Sequence, residues 1–124
     1  MRLAPLLFIL ESLSIGPVNG VPDVRLYQAH PGSRLSRLGR DEPPYWAYAW
    51  GGGVMLAHYL QKHPGVVAGR RVLDLGAGSG LVGIAAARLG ATVTAAELDP
   101  FGQAAIRLNA AANHVPIELL EVDV

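Results

Sequence analysis

The residues with the clearest chemical potential are an acidic residue and three alternating glycines in the segment Val72–Gly80, which reads VLDLGAGSG. Asp74 lies inside an apolar run, and Gly76, Gly78 and Gly80 follow it. Glycines let a backbone turn tightly and approach a ligand with no Cβ in the way. A helix that begins after such a loop offers unpaired N–H groups and a positive dipole end. The segment therefore predicts a strand, a loop and a helix that bind a nucleotide-like ligand. A turn that needs glycine for geometry alone is the disfavoured alternative.

Glu97 is the second candidate site residue, 17 positions after Gly80 and at the end of the next apolar segment. A carboxylate at the end of a strand can accept hydrogen bonds from both ribose hydroxyls of a bound nucleoside. The alternative is a solvent-exposed charge without a ligand. The glycine loop earlier in the chain favours the ribose role.

Two ligand chemistries fit such a loop. The spacing from Gly78 to Gly83 matches the glycine fingerprint of dinucleotide-binding proteins. Counted from Gly76, the first glycine after the apolar run, the third glycine of that fingerprint falls on Leu81. Asp74 would also repel a pyrophosphate, whereas it would attract the sulfonium and ammonium groups of S-adenosylmethionine. The residues therefore favour S-adenosylmethionine over NAD.

The elements that must position these residues follow from hydrophobic periodicity. We predict strands over 72–75, 91–96 and 117–122, and helices over 54–63, 80–89 and 100–113. Asp99 and Pro100 are favoured types for the N-cap and the first position of the last helix. The short connections of this β-α-β-α-β order require a parallel sheet with helices on its faces.

The N-terminal part of the chain has a different character. Residues 1–44 contain Pro or Gly every few positions, which predicts an irregular extension with one short strand over 24–27. The short apolar run from Leu3 to Leu10 predicts an N-terminal helix or packing segment, with a signal peptide as the disfavoured alternative. Arg34, Arg37 and Arg40 recur every third residue, which predicts a solvated loop. Residues 45–50 read YWAYAW and contain both tryptophans of the chain.

Length and composition exclude several classes of protein. With 124 residues, 51% of them apolar and only 16% charged, the chain predicts one packed domain and no intrinsic disorder. A formal net charge of zero argues against a general nucleic-acid binder. The absence of cysteine excludes disulfides and thiolate chemistry, and the four histidines have no metal-ligand spacing. We therefore predict no metal site, no membrane span and a cytoplasmic location.

The Val72–Gly80 segment resembles motif I of the class I, seven-β-strand S-adenosylmethionine-dependent methyltransferases. LVGIA at 81–85 continues this motif as in the protein-lysine methyltransferase group. Residues 44–52 and 56–60 are similar to bacterial relatives of the electron-transfer-flavoprotein β-subunit lysine methyltransferase. The resemblance covers about residues 20–124. It implies an incomplete Rossmann-like α/β methyltransferase domain over 45–124, truncated after its third strand, preceded by the extension 1–44.

The resemblance also implies roles for particular residues. Those on the methionine side of S-adenosylmethionine would be Asp74, Gly76 and Gly78, with Gly80 nearby. Those on the nucleoside side would be Glu97 at the ribose, Trp50 packed beside the cofactor and Asp123 near the adenine amino group. Tyr45 and Trp46 would either line the acceptor pocket or form a hydrophobic plug against the sheet. The two alternatives for this pair stay open.

The implied reaction is the transfer of a methyl group to an amine, either a protein lysine or a small amine. The catalytic residues stay unassigned, because no candidate above is a suitable base for deprotonating an amine whose ordinary pKa is about 10.4. An NAD(P)-binding oxidoreductase domain and an inactive methyltransferase remnant are the alternatives. Because the third strand ends the predicted sheet, we expect a C-terminal segment or a partner chain to complete it, and we expect the 124-residue chain by itself to have weak or no methyltransferase activity.

Overall fold

The computed structural model describes residues 3–121 of the chain. Its elements, in chain order, are α1 (Leu3–Ser12), β1 (Ser14–Val18), β2 (Val21–Gln28), α2 (Gly51–Lys62), β3 (Arg71–Leu75), α3 (Leu81–Arg88), β4 (Thr92–Ala96), α4 (Pro100–Ala112) and β5 (Glu118–Leu120). Short 3₁₀ helices lie at Leu35–Leu38, Tyr45–Ala47 and Pro64–Val66. Among the described residues, no helix has both the length and the apolar character needed to cross a membrane.

The second half of the chain forms a parallel sheet in the order β3-β4-β5. Its strands alternate with α3 and α4, so the predicted β-α-β-α-β order is confirmed. Asp99 caps α4 as expected, because its side chain accepts a hydrogen bond from the N–H of Phe101, and Pro100 begins the helix. The parallel strands place Asp74 and Glu97 at one edge of the sheet, since Asp74 lies near the end of β3 and Glu97 directly follows β4.

The N-terminal helix expected around Leu3 to Leu10 is present as α1, whereas the prediction of an irregular extension over residues 1–44 is wrong in part, because this segment also contains a β-hairpin. Pro5 is tolerated in α1 because it lies in the first turn, where its missing N–H has no intrahelical partner to lose. β1 pairs antiparallel with β2 across Asn19 and Gly20, and Asn-Gly is a strong signal for a two-residue hairpin turn. The predicted short strand over 24–27 lies within β2.

The hairpin packs on the sheet domain and shares its apolar core. Val21, Val24 and Leu26 from β2 are buried in one cluster with residues of α2 and α3. α1 packs on α4, where Ile9 and Trp46 lie in a second buried cluster. Burying these apolar groups stabilises the fold by roughly 1.5–3 kcal/mol for each large side chain. The N-terminal segment therefore forms part of the core of the folded chain.

Two buried asparagines, Asn109 in α4 and Asn113 directly after this helix, connect the hairpin to the rest of the structure. The Asn109 side-chain oxygen accepts from the N–H of Tyr27 at 2.8 Å, and its amide donates to the carbonyl of Ser79 at 2.8 Å. The Asn113 side chain accepts from the N–H of Arg25 and donates to the carbonyl of the same residue. Asn109 thus joins β2 directly to the glycine loop that follows β3.

Candidate functional site

The loop after β3 requires glycine at two positions that face open space. Gly76 and Gly78 have φ values of 60° and 58°, a left-handed conformation that side chains with a Cβ rarely adopt. An ideal Cβ on Gly76 would meet no atom within 4 Å, and one on Gly78 would meet only the Tyr45 carbonyl oxygen, at 3.8 Å. The backbone here is accessible to a ligand. The structure places both residues where the glycine pattern predicts them.

Gly80 has a different reason to be glycine. It is buried, has a φ of 86° and precedes the first residue of α3. A Cβ there would lie 3.3 Å from Cγ1 of Ile106, a side chain of α4. The structure thus places Gly80 behind the loop, against α4, where tight packing explains the glycine. The predicted contact of this residue with a cofactor stays a prediction.

Asp74 is a partly buried carboxylate beside the glycine loop. Its Oδ2 accepts a hydrogen bond from the N–H of Gly83 in α3, at 3.1 Å. Burial raises the pKa of Asp74 above its ordinary value, the Gly83 hydrogen bond opposes this shift, and the negative charge of Glu97 adds to it. A carboxylate held at such a desolvation cost is typical of a site that receives a positive charge.

Asp74→Asn should therefore stabilise the protein without ligand. The raised pKa means that the folded state binds the Asp74 proton more tightly than the unfolded state does. The stability that the protonated Asp74 side chain contributes is fully present at low pH. It is lost as the pH rises from about 4 through the raised pKa of Asp74. We expect urea unfolding to show equal stability of both proteins at low pH and a more stable Asn variant at pH 7.

Asp23→Asn is the matched control for this measurement, because Asp23 is an exposed aspartate of the hairpin. It should leave the free energy of unfolding unchanged within about 0.5 kcal/mol at both pH values. An Asp74→Asn protein less stable than the parent at pH 7 would contradict the argument.

Glu97 is hydrogen-bonded to the glycine loop and to the residue that caps α4. Its Oε1 accepts from the N–H of Gly78 at 2.8 Å, and its Oε2 accepts from the N–H of Asp99 at 3.1 Å. A carboxylate has about four acceptor positions, so two remain for a ligand after both backbone contacts are made. The carboxylate is therefore held in one orientation before any ligand arrives.

Two neighbouring cavities lie on either side of the loop and share Tyr45, Gly76 and Gly78 as lining residues. The smaller, of about 240 Å³, also contains Asp74 and Trp50. The larger, of about 570 Å³, is lined further by Arg40, Glu42, Pro43, Trp46, Glu97, Leu98, Asp99 and Pro100. Each cavity therefore has one of the two predicted carboxylates, with the glycine loop between them.

The aromatic residues before α2 divide between the core and the cavities. Trp46 is buried and stacks on Phe101 of α4 at a ring-centroid distance of 5.3 Å, and it also lines the larger cavity, so both alternatives for this residue stay open. Tyr45 is 57% exposed and lines both cavities. The indole N–H of Trp50 donates to the Tyr45 carbonyl at 2.9 Å, which holds the half-exposed Trp50 ring at the smaller cavity.

Arg40 belongs to the site, although its spacing with Arg34 and Arg37 predicts a solvated loop. Its guanidinium donates to both carboxylate oxygens of Asp99, at 3.1 and 2.9 Å. It also lies 5.1 Å from the ring centroid of Phe101, in the range of a cation–π contact. The ion pair ties the segment before the aromatic residues to the start of α4. Because these contacts join residues 59 positions apart, local sequence patterns do not indicate them.

The remaining predicted site residue, Asp123, lies outside the described residues. The described site contains the other six: Asp74, Glu97, Trp50 and Gly78 at the cavities, together with Gly76 in the loop and Gly80 behind it. A parallel β-α-β-α-β sheet with a glycine loop after its first strand and a carboxylate after its second defines the Rossmann-like α/β class of nucleoside-binding folds.

Within this class, the chain belongs to the ribosomal protein L11 methyltransferase (PrmA) family, which matches residues 55–123. The chain is also 48% identical over 73 residues to the electron transfer flavoprotein beta subunit lysine methyltransferase of Danio rerio, covering 58% of this chain and 28% of that protein. The Homo sapiens protein of the same name is 47% identical over 73 residues, with the same shares covered. The chain thus spans less than a third of the length of these relatives.

A solved structure supports the same fold. The 16S rRNA N2 G1207 methyltransferase RsmC of T. thermophilus, in complex with AdoMet and guanosine, matches 90% of this chain and 28% of its own. The TM-score is 0.60 and the sequence identity 28%. The predicted incomplete Rossmann-like methyltransferase fold is therefore confirmed, and so is the resemblance to the methyltransferases.

Proposed function

We propose that this chain binds S-adenosylmethionine across the glycine loop and is the cofactor-binding part of a methyltransferase. One observation carries the proposal: two carboxylates, Asp74 and Glu97, lie at adjacent cavities that share the bare backbone of Gly76 and Gly78. The cofactor has two chemically different halves, a cationic methionine part and a neutral nucleoside. The smaller cavity, with Asp74, suits the cationic half, and the larger cavity, with Glu97, suits the nucleoside.

The smaller cavity fits the methionine part. The partly buried Asp74 carboxylate would pair with the α-ammonium group, and this pairing would offset the desolvation that raises the pKa of Asp74. The larger cavity fits the nucleoside, because Glu97 has two free acceptor positions for the ribose hydroxyls. Asp74 disfavours a dinucleotide, because the pyrophosphate would approach this negative charge, whereas Glu97 would suit the ribose of either ligand.

When bound, the cofactor supplies an electrophilic methyl group, and the protein binds, orients and desolvates it. Gly76 and Gly78 would allow close approach of the backbone, Glu97 would hold the nucleoside in one orientation, and Trp50 would cover the methionine side. Fixing the reacting group in this way lowers the entropic part of the barrier to methyl transfer.

We propose a protein lysine as the methyl acceptor. The support comes from the relatives, because several are named as lysine methyltransferases of proteins, including the protein N-lysine methyltransferase METTL21A of Danio rerio, 46% identical over 54 residues. RsmC is an rRNA methyltransferase, so RNA is the competing acceptor class. The neutral net charge of this chain favours a protein over RNA.

Isothermal titration of the full chain with S-adenosylhomocysteine and with NADH tests the cofactor assignment. We expect S-adenosylhomocysteine to bind and NADH to show no binding at the same concentrations, because Asp74 repels the pyrophosphate of NADH. Binding of NADH, or no binding of S-adenosylhomocysteine, would overturn the proposal.

The acceptor can be tested by methyl transfer once the chain is combined with the segment or partner chain expected to complete its sheet. This preparation, with labelled S-adenosylmethionine, would be offered an electron transfer flavoprotein beta subunit in one reaction and ribosomal RNA in another. Label on lysine residues, located by mass spectrometry, would support the protein acceptor. Label on RNA alone would contradict it.

A further inference from the structure

Gly102, in the first turn of α4, has no conformational reason to be glycine. It is buried, and its φ is not positive, so alanine could adopt the same backbone. Glycine inside a helix costs roughly 1 kcal/mol relative to alanine. Helix propensity alone would therefore favour alanine over glycine at position 102.

The reason for the glycine is the side chain of Glu97, which crosses this turn of the helix. An ideal Cβ on Gly102 would lie 2.7 Å from Cγ of Glu97, 2.9 Å from Cδ and 3.2 Å from Oε2. In real structures a Cβ atom essentially never lies within 3.0 Å of a heavy atom from a residue that is not adjacent in the chain. A methyl group at position 102 and the present conformation of Glu97 are mutually exclusive.

Glu97 can relieve such a clash only by giving up its present contacts. Its two oxygens are each bound to a backbone N–H, that of Gly78 at 2.8 Å and that of Asp99 at 3.1 Å. Rotation of the side chain away from position 102 would break at least one of these bonds. It would also turn the two free acceptor positions away from the larger cavity.

We infer that Gly102 is a positioning residue, whose missing side chain admits a glutamate-length carboxylate at position 97 and orients it for two adjacent hydroxyl groups. The inference deepens the proposed function and rests on it, since the hydroxyls are those of the cofactor ribose. Gly102 itself touches no ligand and acts through Glu97.

The test is Gly102→Ala in the full chain, titrated with S-adenosylhomocysteine and with its 2′,3′-dideoxy analogue. Hydrogen bonds to a charged group contribute about 1.5–3 kcal/mol, so loss of the Glu97 contact should weaken S-adenosylhomocysteine binding roughly tenfold to hundredfold. The dideoxy analogue cannot use Glu97, so its affinity should change less than about threefold. Equal losses for both ligands would indicate a purely structural role and overturn the inference.

A second variant tests the steric cause. Alanine at position 97 lacks the Cγ, Cδ and Oε2 atoms that the new methyl group would meet. The Gly102→Ala substitution should therefore cost less than about threefold in affinity when it is made in a Glu97→Ala protein. An undiminished cost in that background would contradict the steric argument.

Gly52→Ala is the matched control, because a Cβ on this exposed helical glycine would meet no atom within 4 Å. It should leave both affinities unchanged. If the parent chain binds S-adenosylhomocysteine and Gly102→Ala binds it equally well, only the inference fails. If the parent chain does not bind it, the proposed function fails first.

Discussion

Replacing Gly78 with valine should abolish binding of S-adenosylhomocysteine, with a loss of more than about a hundredfold in affinity. Gly78 has a φ of 58°, and a side chain in this left-handed region costs roughly 1–2 kcal/mol, with β-branched residues tolerated least. Its N–H also donates to Oε1 of Glu97 at 2.8 Å. A backbone that shifts to relieve the strain would lose this bond and release the carboxylate.

The new side chain would also occupy the space that the ligand needs. Gly78 lines both cavities, so the valine methyl groups would project where the methionine and nucleoside halves of the cofactor meet. The strain is present with and without ligand and lowers stability, whereas the lost hydrogen bond and the obstruction both weaken binding. Together they exceed the roughly 2.7 kcal/mol that corresponds to a hundredfold change in affinity.

Isothermal titration measures the loss, and circular dichroism shows whether the variant is folded. Gly52→Val is the matched control, because this exposed glycine of α2 has open space around it. The control should bind as the parent does. Binding by Gly78→Val within about threefold of the parent would exclude the glycine loop as the ligand site.

Replacing Asn109 with leucine should destabilise the protein by about 2–6 kcal/mol. Asn109 is fully buried, and leucine has nearly the same shape. The substitution would leave the Tyr27 N–H and the Ser79 carbonyl without their partner in the core. Each unpaired buried group costs about 1–3 kcal/mol. Because small domains are stable by only about 5–15 kcal/mol, a large part of the total stability would be lost.

Urea unfolding followed by circular dichroism measures this effect. His58→Leu introduces the same residue on the exposed face of α2 and should change the free energy of unfolding by less than about 0.5 kcal/mol. Asn109→Asp gives a further check, because it keeps the acceptor for Tyr27 but replaces the donor to Ser79 with an acceptor. An Asn109→Leu protein as stable as the parent would show that the bridge does not contribute.

The Asn109 bridge also gives the N-terminal hairpin a role in the site. Its two hydrogen bonds hold β2 on one side and the glycine loop at Ser79 on the other. On the other side of the site, Arg40 ties the preceding segment to Asp99 at the start of α4. Residues before the sheet domain therefore support both ends of the cofactor region, although none of them belongs to the glycine motif.

The sequence by itself determined the order of strands and helices from Arg71 onward and the position of Asp74, Gly78 and Glu97 at the strand ends. These features depend on local signals: apolar periodicity, glycine spacing and the Asp-Pro start of α4. The hairpin also had a local signal, Asn19-Gly20, which the surrounding prolines outweighed in our interpretation.

Only the tertiary structure decided which distant residues meet. The Tyr27–Asn109 bond spans 82 positions, and the Arg40–Asp99 pair spans 59. The Gly102–Glu97 contact is close in sequence, but it depends on how α4 turns back across the end of β4. Such contacts follow from the packing of whole elements and leave no periodic pattern in the chain. The sequence therefore identifies the groups that we propose to contact the ligand, and the packing identifies the groups that hold them in place.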